Sequence, residues 1–232
     1  MTTKKRKWTY GDEGTKYRVS EGEVWACGKH IFVCSDIMDS DLFDRTLHDR
    51  SFNLLYSDPP WGTGLLNGFR TKAGKDRATH TWQELYRRVA NLGHAAKVPV
   101  WMECSVIENR DGKQVPDAIR HPSGFSEYDA YWQVVYYRKN PSGLFHSGIR
   151  PVPETLVDLT GMDDDFTPGA VMASYDLLDA KVIDPCAGRG VTSRQAEEQG
   201  WGSINNEMHP ARVSAALSRM NEMIGVVPVR IA

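Results

Sequence analysis

Residues 52–61 read FNLLYSDPPW, and this stretch decides the fold prediction. Leu54, Leu55 and Tyr56 form a short apolar run that is typical of a buried parallel strand. Two prolines end the strand at once, because proline cannot donate to a β-ladder and restricts the residue before it. The pattern predicts a carboxylate, a free carbonyl and an aromatic ring at the carboxyl end of a strand, where ligands bind in open α/β sheets.

These three groups suit the exocyclic amine of a flat base. The Asp58 carboxylate and the Pro59 carbonyl can accept the amine hydrogens, and Trp61 can stack on the ring. The plain alternative is a strand followed by a Pro-Pro turn with a packed tryptophan. The stretch alone does not separate the two interpretations.

A second stretch, residues 182–192, reads VIDPCAGRGVT. Gly188 and Gly190 allow a sharp turn after a strand, and the helix that follows offers free N–H groups to an anion. About twenty residues later Glu207 ends the next strand, where an acidic residue accepts the ribose hydroxyls in nucleotide-binding folds. The pattern predicts a nucleoside site. A plain βα turn is the alternative, since Ser193 replaces the third glycine of the full fingerprint.

Strand-like and helix-like segments alternate along the chain, which predicts an α/β doubly wound sheet with parallel strands. A length of 232 residues fits one domain. Residues 17–34 predict a hairpin, and residues 81–96 predict a helix that begins with a capping box. Residues 62–79 and 139–150 are rich in basic residues and glycine, and we predict loops there.

The formal net charge is −2, so a nucleic-acid partner has to meet a local basic surface. Two clusters qualify, and a solvated tail or loop is the alternative for each. The first cluster is residues 4–7. The second comprises Arg70, Lys72, Lys75 and Arg77.

The four cysteines and seven histidines show no C-x-x-C pair and no metal-ligand spacing, so we predict no metal site. Three of the cysteines lie in strand-like apolar surroundings and are predicted to be buried thiols of a reducing compartment. No apolar run approaches the about 18 residues that span a bilayer, and no signal peptide is evident. We therefore expect a cytoplasmic protein without a membrane partner.

The 58–61 and 184–190 motifs together resemble the S-adenosylmethionine-dependent amino-methyltransferases of DNA, which modify adenine N6 or cytosine N4. The likeness covers residues 30–60 and 180–215 specifically. The catalytic motif precedes the cofactor motif, as in the permuted beta-class order. The resemblance implies one Rossmann-like methyltransferase domain over residues 1–232. Its sheet would be seven-stranded and mostly parallel, with one antiparallel edge strand and a circularly permuted motif order.

The resemblance also implies roles for single residues. The catalytic motif would be Asp58, Pro59, Pro60 and Trp61. The cofactor would be held by Asp36, Asp184, Pro185, Cys186, Ala187, Gly188, Gly190, Thr192 and Glu207. Within that set, Asp36 would accept the adenine amine of the cofactor and Glu207 would hold its ribose. Asp184 and Thr192 would frame the methionine moiety.

Cys186 stands where the family usually has phenylalanine. Pro185-Cys186 also resembles the nucleophile motif of cytosine-C5 methyltransferases, which need a thiolate. Because this cysteine lies inside the glycine turn, where the cofactor would sit, we do not expect it to act as a nucleophile.

The function implied is methyl transfer from S-adenosylmethionine to N6 of adenine in a flipped-out DNA base. The tryptophan variant of the motif favours adenine. Cytosine-N4 methylation, RNA adenine methylation, methylation of a planar amide in a protein and a nucleic-acid-binding partner subunit without turnover stay open as alternatives.

Only short segments within residues 62–79 and 106–150 are available for substrate recognition. We therefore expect relaxed specificity on double-stranded DNA, or recognition shared with a partner subunit or with a second copy in a homodimer. A bacterial cell or a phage-infected host is the setting that a compact solitary enzyme of this kind would suit.

Overall fold

The computed structural model describes residues 16–60, 62–105, 132–137, 142–146 and 165–232. The strands are β1 (Val24–Cys27), β2 (His30–Val33), β3 (Leu54–Ser57), β4 (Val100–Ser105), β5 (Trp132–Tyr137), β6 (Ser142–His146), β7 (Lys181–Asp184), β8 (Gly202–Asn206) and β9 (Val229–Arg230). The helices are α1 (Leu42–Leu47), α2 (Thr63–Lys72), α3 (Trp82–Ala96), α4 (Thr167–Ala173), α5 (Val191–Glu198) and α6 (Pro210–Ile224).

These strands form one mixed sheet in the order β6-β5-β4-β3-β7-β8-β2-β1-β9. The six strands from β5 to β2 are parallel, and β6 pairs antiparallel with β5. This part is the expected seven-stranded sheet with one antiparallel edge. The expectation was incomplete at the other edge, where β1 and β9 add two antiparallel strands. The β1–β2 hairpin turn depends on Gly28, whose φ of 58° favours glycine.

Helices cover both faces of the sheet, because neighbouring residues of a buried strand point in opposite directions. Leu55 and Ile183 pack with α1, α2 and α3 on one face. Leu54 and Val182 pack with α4 and α5 on the other face, and α6 packs there against Phe32 of β2. The prediction of an α/β sheet buried on both faces is confirmed. No helix in the described ranges has the length and apolar character needed to cross a membrane.

The predicted hairpin and capping box are both present. Thr81 Oγ1 accepts from the Glu84 backbone N–H at 3.2 Å, and Glu84 Oε2 accepts from the Thr81 N–H at 2.6 Å. This reciprocal pair satisfies two backbone donors at the start of α3.

Both basic segments predicted as loops contain regular structure. Residues 62–79 include α2, whose Leu66 is buried, and packing of that apolar side outweighs the low helix propensity of Gly64 and Gly68. Residues 139–150 include β6. The second predicted recognition segment is residues 106–150. Apart from β5 and β6, it lies outside the described residues.

The chain connections that leave β3 and β7 lead to opposite sides of the sheet. From β3 the chain leads through α2 and α3 to β4 on one side, whereas β7 leads through α5 to β8 on the other. The two strands are hydrogen-bonded neighbours, with Leu54 opposite Val182 and Leu55 opposite Ile183. A crevice at the carboxyl ends of such a pair is the usual ligand site of open α/β sheets.

Candidate active site

A cavity of about 440 Å³ lies at this switch point, at the carboxyl ends of the central strands. Eleven of the predicted site residues line it: Asp36, Asp58, Pro59, Pro60, Asp184, Pro185, Cys186, Ala187, Gly188, Thr192 and Glu207. Of the other two, Gly190 does not line the cavity and Trp61 lies outside the described residues. The strand-end argument therefore placed both motifs in one cavity.

Asp184, the last residue of β7, joins three parts of the site. Its Oδ1 accepts from Ser57 Oγ at 2.8 Å and from the Cys186 N–H at 3.1 Å, and its Oδ2 accepts from Thr192 Oγ1 at 2.5 Å. Burial raises the pKa of Asp184 to about 6, although the three hydrogen bonds oppose the shift. The carboxyl group thus fixes the end of β3, the glycine turn and the first turn of α5 together.

The glycine turn uses its two glycines differently. Both have positive φ, 54° at Gly188 and 78° at Gly190. A Cβ on Gly190 would lie 2.8 Å from Ser193 Oγ and 2.9 Å from the Ala216 Cβ, whereas one on Gly188 would meet nothing within 4 Å. Gly190 therefore permits close packing of α5 and α6, and Gly188 leaves the backbone open toward the cavity.

Two polar residues lie at the end of β8. The Asn206 amide connects the ends of the neighbouring strands, and Glu207 lines the cavity. Asn206 Nδ2 donates to the carbonyls of Ser35 and Pro185, both at 3.1 Å, and its Oδ1 accepts from Ser35 Oγ at 2.6 Å. Glu207 Oε1 accepts from the His209 N–H at 2.8 Å. Burial raises the pKa of Glu207 to about 7, although Arg212 and the backbone N–H groups of His209 and Gly188 lower it.

Asp36, beyond the end of β2, is bound by an arginine. Its Oδ1 accepts from the Met38 N–H at 3.1 Å, and Arg70 Nη1 donates to its Oδ2. Arg70 Nη2 also contacts Asp39 Oδ2 at 3.0 Å. Arg70 was predicted as part of a basic surface for a nucleic-acid partner, and this was wrong, because its side chain is buried in these ion pairs.

The rest of the predicted basic cluster is divided. Lys75 Nζ lies 2.5 Å from Glu21 Oε1, so this charge is also matched by an acid. Lys72 and Arg77 are exposed. A sequence pattern cannot predict such ion pairs, because Lys75 and Glu21 are far apart along the chain.

On the side of β3 and β4, the carbonyl and carboxylate of the predicted motif differ in exposure. Asp58 is exposed and Pro59 is buried. The Tyr86 hydroxyl donates to the Glu103 carbonyl at 2.5 Å and lies 3.4 Å from the Pro59 carbonyl oxygen. These contacts fix the backbone at the ends of both strands.

Sequence reasoning missed several residues of the cavity. Glu103 is buried, lines the cavity and accepts from the Tyr56 hydroxyl at 2.5 Å. A charged residue inside the apolar strand β4 is the signal that could have found it. Phe69 and Arg212, which line the cavity, were also missed, as was Ser57, which donates to Asp184. Only Ser57, a polar residue ending a buried strand, carried a comparable signal.

The thiol of Cys186 is unsuited to nucleophilic attack. Burial raises its pKa well above the ordinary thiol value, and the neighbouring Asp184 and Glu207 raise it further. Cys27 and Cys34 are buried free thiols, as predicted. Within the described parts of the chain, no three His, Cys, Asp or Glu side chains come together as a metal site.

No protein-family model and no curated protein sequence matches this chain. Solved structures match at low identity. The selenomethionine form of TTHA0409 from Thermus thermophilus, a candidate DNA modification methylase, is 14% identical with a TM-score of 0.52, over 84% of this chain and 96% of that chain. Its complex with S-adenosyl-L-methionine is 13% identical with a TM-score of 0.49, over 84% of this chain and 94% of that chain.

The protein M1.HpyAVI is 13% identical with a TM-score of 0.48, over 82% of this chain and 98% of that chain. At these identities the likeness concerns the fold. On the match with a TM-score of 0.52, the chain shares the α/β fold of a candidate DNA modification methylase.

Proposed function

We propose that this chain transfers a methyl group from S-adenosylmethionine to the exocyclic N6 amine of adenine in DNA, with the target base flipped out of the duplex. One observation carries the proposal. The Asp58-Pro59-Pro60 segment and the Asp184, Gly188 and Glu207 region line the same cavity. The groups that the proposed reaction needs for the base and for the cofactor therefore surround one space.

The residues present fit the proposed cofactor. The cavity of about 440 Å³ lies within the usual range of ligand sites, about 300–1,000 Å³. Gly188 leaves the backbone open beside the amino end of α5, where free N–H groups favour a carboxylate. Glu207 offers a carboxylate for ribose hydroxyls, and Asp36 offers one for an adenine amine. When bound, S-adenosylmethionine supplies an electrophilic methyl group.

The chain's own task is then to hold the acceptor amine. The Asp58 carboxylate and the Pro59 carbonyl would accept its two hydrogens, which favours a more tetrahedral nitrogen with its lone pair directed away from them. Tyr86 and Glu103 hold the backbone that carries this carbonyl. The amine becomes acidic only after it is alkylated, so Asp58 would take the proton afterwards. Trp61 is proposed to stack on the flipped base.

Three further features belong to this proposal: a single methyltransferase domain, the permuted motif order and a double-stranded DNA partner. Recognition would fall to the segment that contains α2 and to residues 106–150. Exposed Lys72 and Arg77 are the described cations of the 62–79 segment that can meet phosphates.

Methyl transfer from labelled S-adenosylmethionine to unmethylated duplex DNA, single-stranded DNA, RNA and protein tests the proposal, with nucleoside mass spectrometry as the readout. N6-methyladenine in DNA is the expected product. N4-methylcytosine, or label in RNA or protein, would replace the proposed substrate. Cofactor binding without label in any substrate would favour a partner subunit, and no cofactor binding would overturn the proposal.

A further inference from the structure

Arg212, in the first turn of α6, lies between the acid at the end of β8 and the helix that follows the Asp58 motif. Its guanidinium carbon lies 4.5 Å from the centre of the Phe69 ring, and its Nη1 lies 3.9 Å from Glu207 Oε2. The Arg212 and Glu207 side chains are only 13% and 10% exposed. All three residues line the cavity.

A guanidinium stacked on an aromatic ring keeps its plane and its charge while its N–H groups stay directed at an acid. Lysine cannot reproduce this geometry, because its ammonium is a point charge on a flexible stem. Phe69 therefore restricts the orientation of the Arg212 guanidinium beside the Glu207 carboxylate. The contact also joins α2 to α6 in the lining of the cavity.

A second arginine, which follows Phe69 in α2, also pairs with an acid of the cavity. Arg70 pairs with Asp36, as Arg212 pairs with Glu207. The two acids proposed to hold the adenosine part of the cofactor thus each have an arginine partner. Because Phe69 and Arg70 are consecutive, one short piece of α2 contacts both pairs.

We propose that Arg212, held by Phe69, is a positioning residue that keeps the Glu207 carboxylate charged and oriented to accept the ribose hydroxyls of the cofactor. This inference rests on the proposed function and deepens it. A carboxylate can accept from both hydroxyls, whereas a protonated carboxyl group has lost part of its acceptor capacity. Arg212 favours the charged form against the effect of burial.

The groups around Glu207 give this role its pH dependence. Asp184 raises the pKa of Glu207 in addition to burial, while Arg212 and the backbone N–H groups of His209 and Gly188 lower it to a net value of about 7. The Cys34 and Cys186 thiols also face this acid, and both have raised pKa values, so they stay neutral. Arg212 is therefore the main positive charge that opposes protonation.

The test is the dissociation constant of S-adenosylmethionine between pH 6 and pH 9, measured by calorimetry. For the unchanged chain we expect affinity to rise as the pH rises through about 7 and then to level off. Arg212→Met should weaken binding by about fivefold at pH 7, as an upward shift of about one pH unit in the midpoint implies, and binding should recover by pH 9.

Two milder variants keep the test decisive if Arg212→Met does not fold. Arg212→Lys retains the charge but loses the arrangement on the Phe69 ring, so the midpoint should shift upward by less than in Arg212→Met. Phe69→Leu removes the ring and should shift the midpoint upward by less than Arg212→Met. Arg230→Met, which removes an exposed arginine paired with Glu23 on β1's edge of the sheet, is the matched control and should change nothing.

The two possible failures are distinguishable. If the unchanged chain does not bind S-adenosylmethionine at any pH, the proposed function is overturned and the role of Arg212 falls with it. If the unchanged chain binds with the expected pH profile and neither Arg212→Met nor Phe69→Leu moves its midpoint, the positioning role alone is overturned. A midpoint that persists in Glu207→Gln would also contradict the assignment.

Discussion

The two halves of the cavity are built differently. At the ends of β7 and β8, Asp184 and Asn206 use their polar atoms for contacts with the protein itself. At the end of β3, Asp58 is exposed beside the buried Pro59. The first half is therefore formed before any ligand arrives, which lowers the cost of ordering it on binding. The second half carries an exposed aspartate, which a large substrate can reach.

Asp58→Ala gives the strongest test of this division. We expect methyl transfer to fall by about a thousandfold or more, because the acceptor for the target amine is lost. Affinity for S-adenosylmethionine should stay within about twofold, since Asp58 belongs to the exposed half. Single-turnover kinetics and calorimetry measure the two quantities. Asp49→Ala, at another exposed aspartate, is the control, and a large loss of cofactor affinity in Asp58→Ala would break the division.

Asp184 tests the preformed half through the pH dependence of stability. Its ordinary pKa is 3.8, and burial raises it to about 6 in the fold. Between these values the folded chain binds more protons than the unfolded chain, so the free energy of unfolding should fall as the pH rises from about 4 to about 6. The difference corresponds to about 3 kcal/mol.

Urea unfolding at several pH values in that range, compared with Asp184→Asn, measures this contribution. The variant should lose this part of the slope and should bind S-adenosylmethionine more weakly. Glu207 adds a loss of its own as the pH approaches about 7, and Glu207→Gln separates it. An unchanged slope in Asp184→Asn would mean that its carboxyl group ionises in the fold as easily as in the unfolded chain.

The two glycines of the turn should differ in how much they contribute to the stability of the preformed half. Gly190→Ala should lower the free energy of unfolding by about 2–3 kcal/mol, because its Cβ would meet Ser193 and Ala216 and its φ is positive. Gly188→Ala should cost only about 1 kcal/mol, since its Cβ has open space. Its effect should appear as weaker cofactor binding. Thermal unfolding and calorimetry on both variants measure the contrast, and equal stability losses would contradict it.

The smallest expected effect concerns the surface around the exposed half. Lys72→Gln should lower DNA affinity modestly and reduce the slope of log affinity against log salt by about 1, because one phosphate contact is lost. Lys97→Gln, at the far end of α3, is the matched control and should leave the slope unchanged. Filter binding over a salt series gives both slopes. If the slope is unchanged in Lys72→Gln, DNA does not cross this part of α2.

The position of the site residues could be predicted from the sequence where a local pattern sets the structure. Buried strands that end in Asp58 and Asp184 had to bring these carboxylates to one edge of a parallel sheet, and both line one cavity. Prediction from the sequence failed where distant contacts decide. Leu66 stabilises α2 only after it packs on the sheet, and Arg70 leaves the surface only because Asp36 lies opposite it. The edge strand β9 carried too short a pattern to predict, since it has two residues.

The Ser57–Asp184 hydrogen bond has a consequence for recombination between related chains. Ser57 donates to the central carboxyl group of one half, and the next residue in the chain, Asp58, belongs to the other half. A single peptide unit, about 3.8 Å from Cα to Cα, therefore sets the spacing between the halves. A chimaera that takes β3 from one parent and β7 from another combines a Ser57 and an Asp184 from chains in which they did not pack against each other. In such a chimaera, β3 and β7 should be exchanged together.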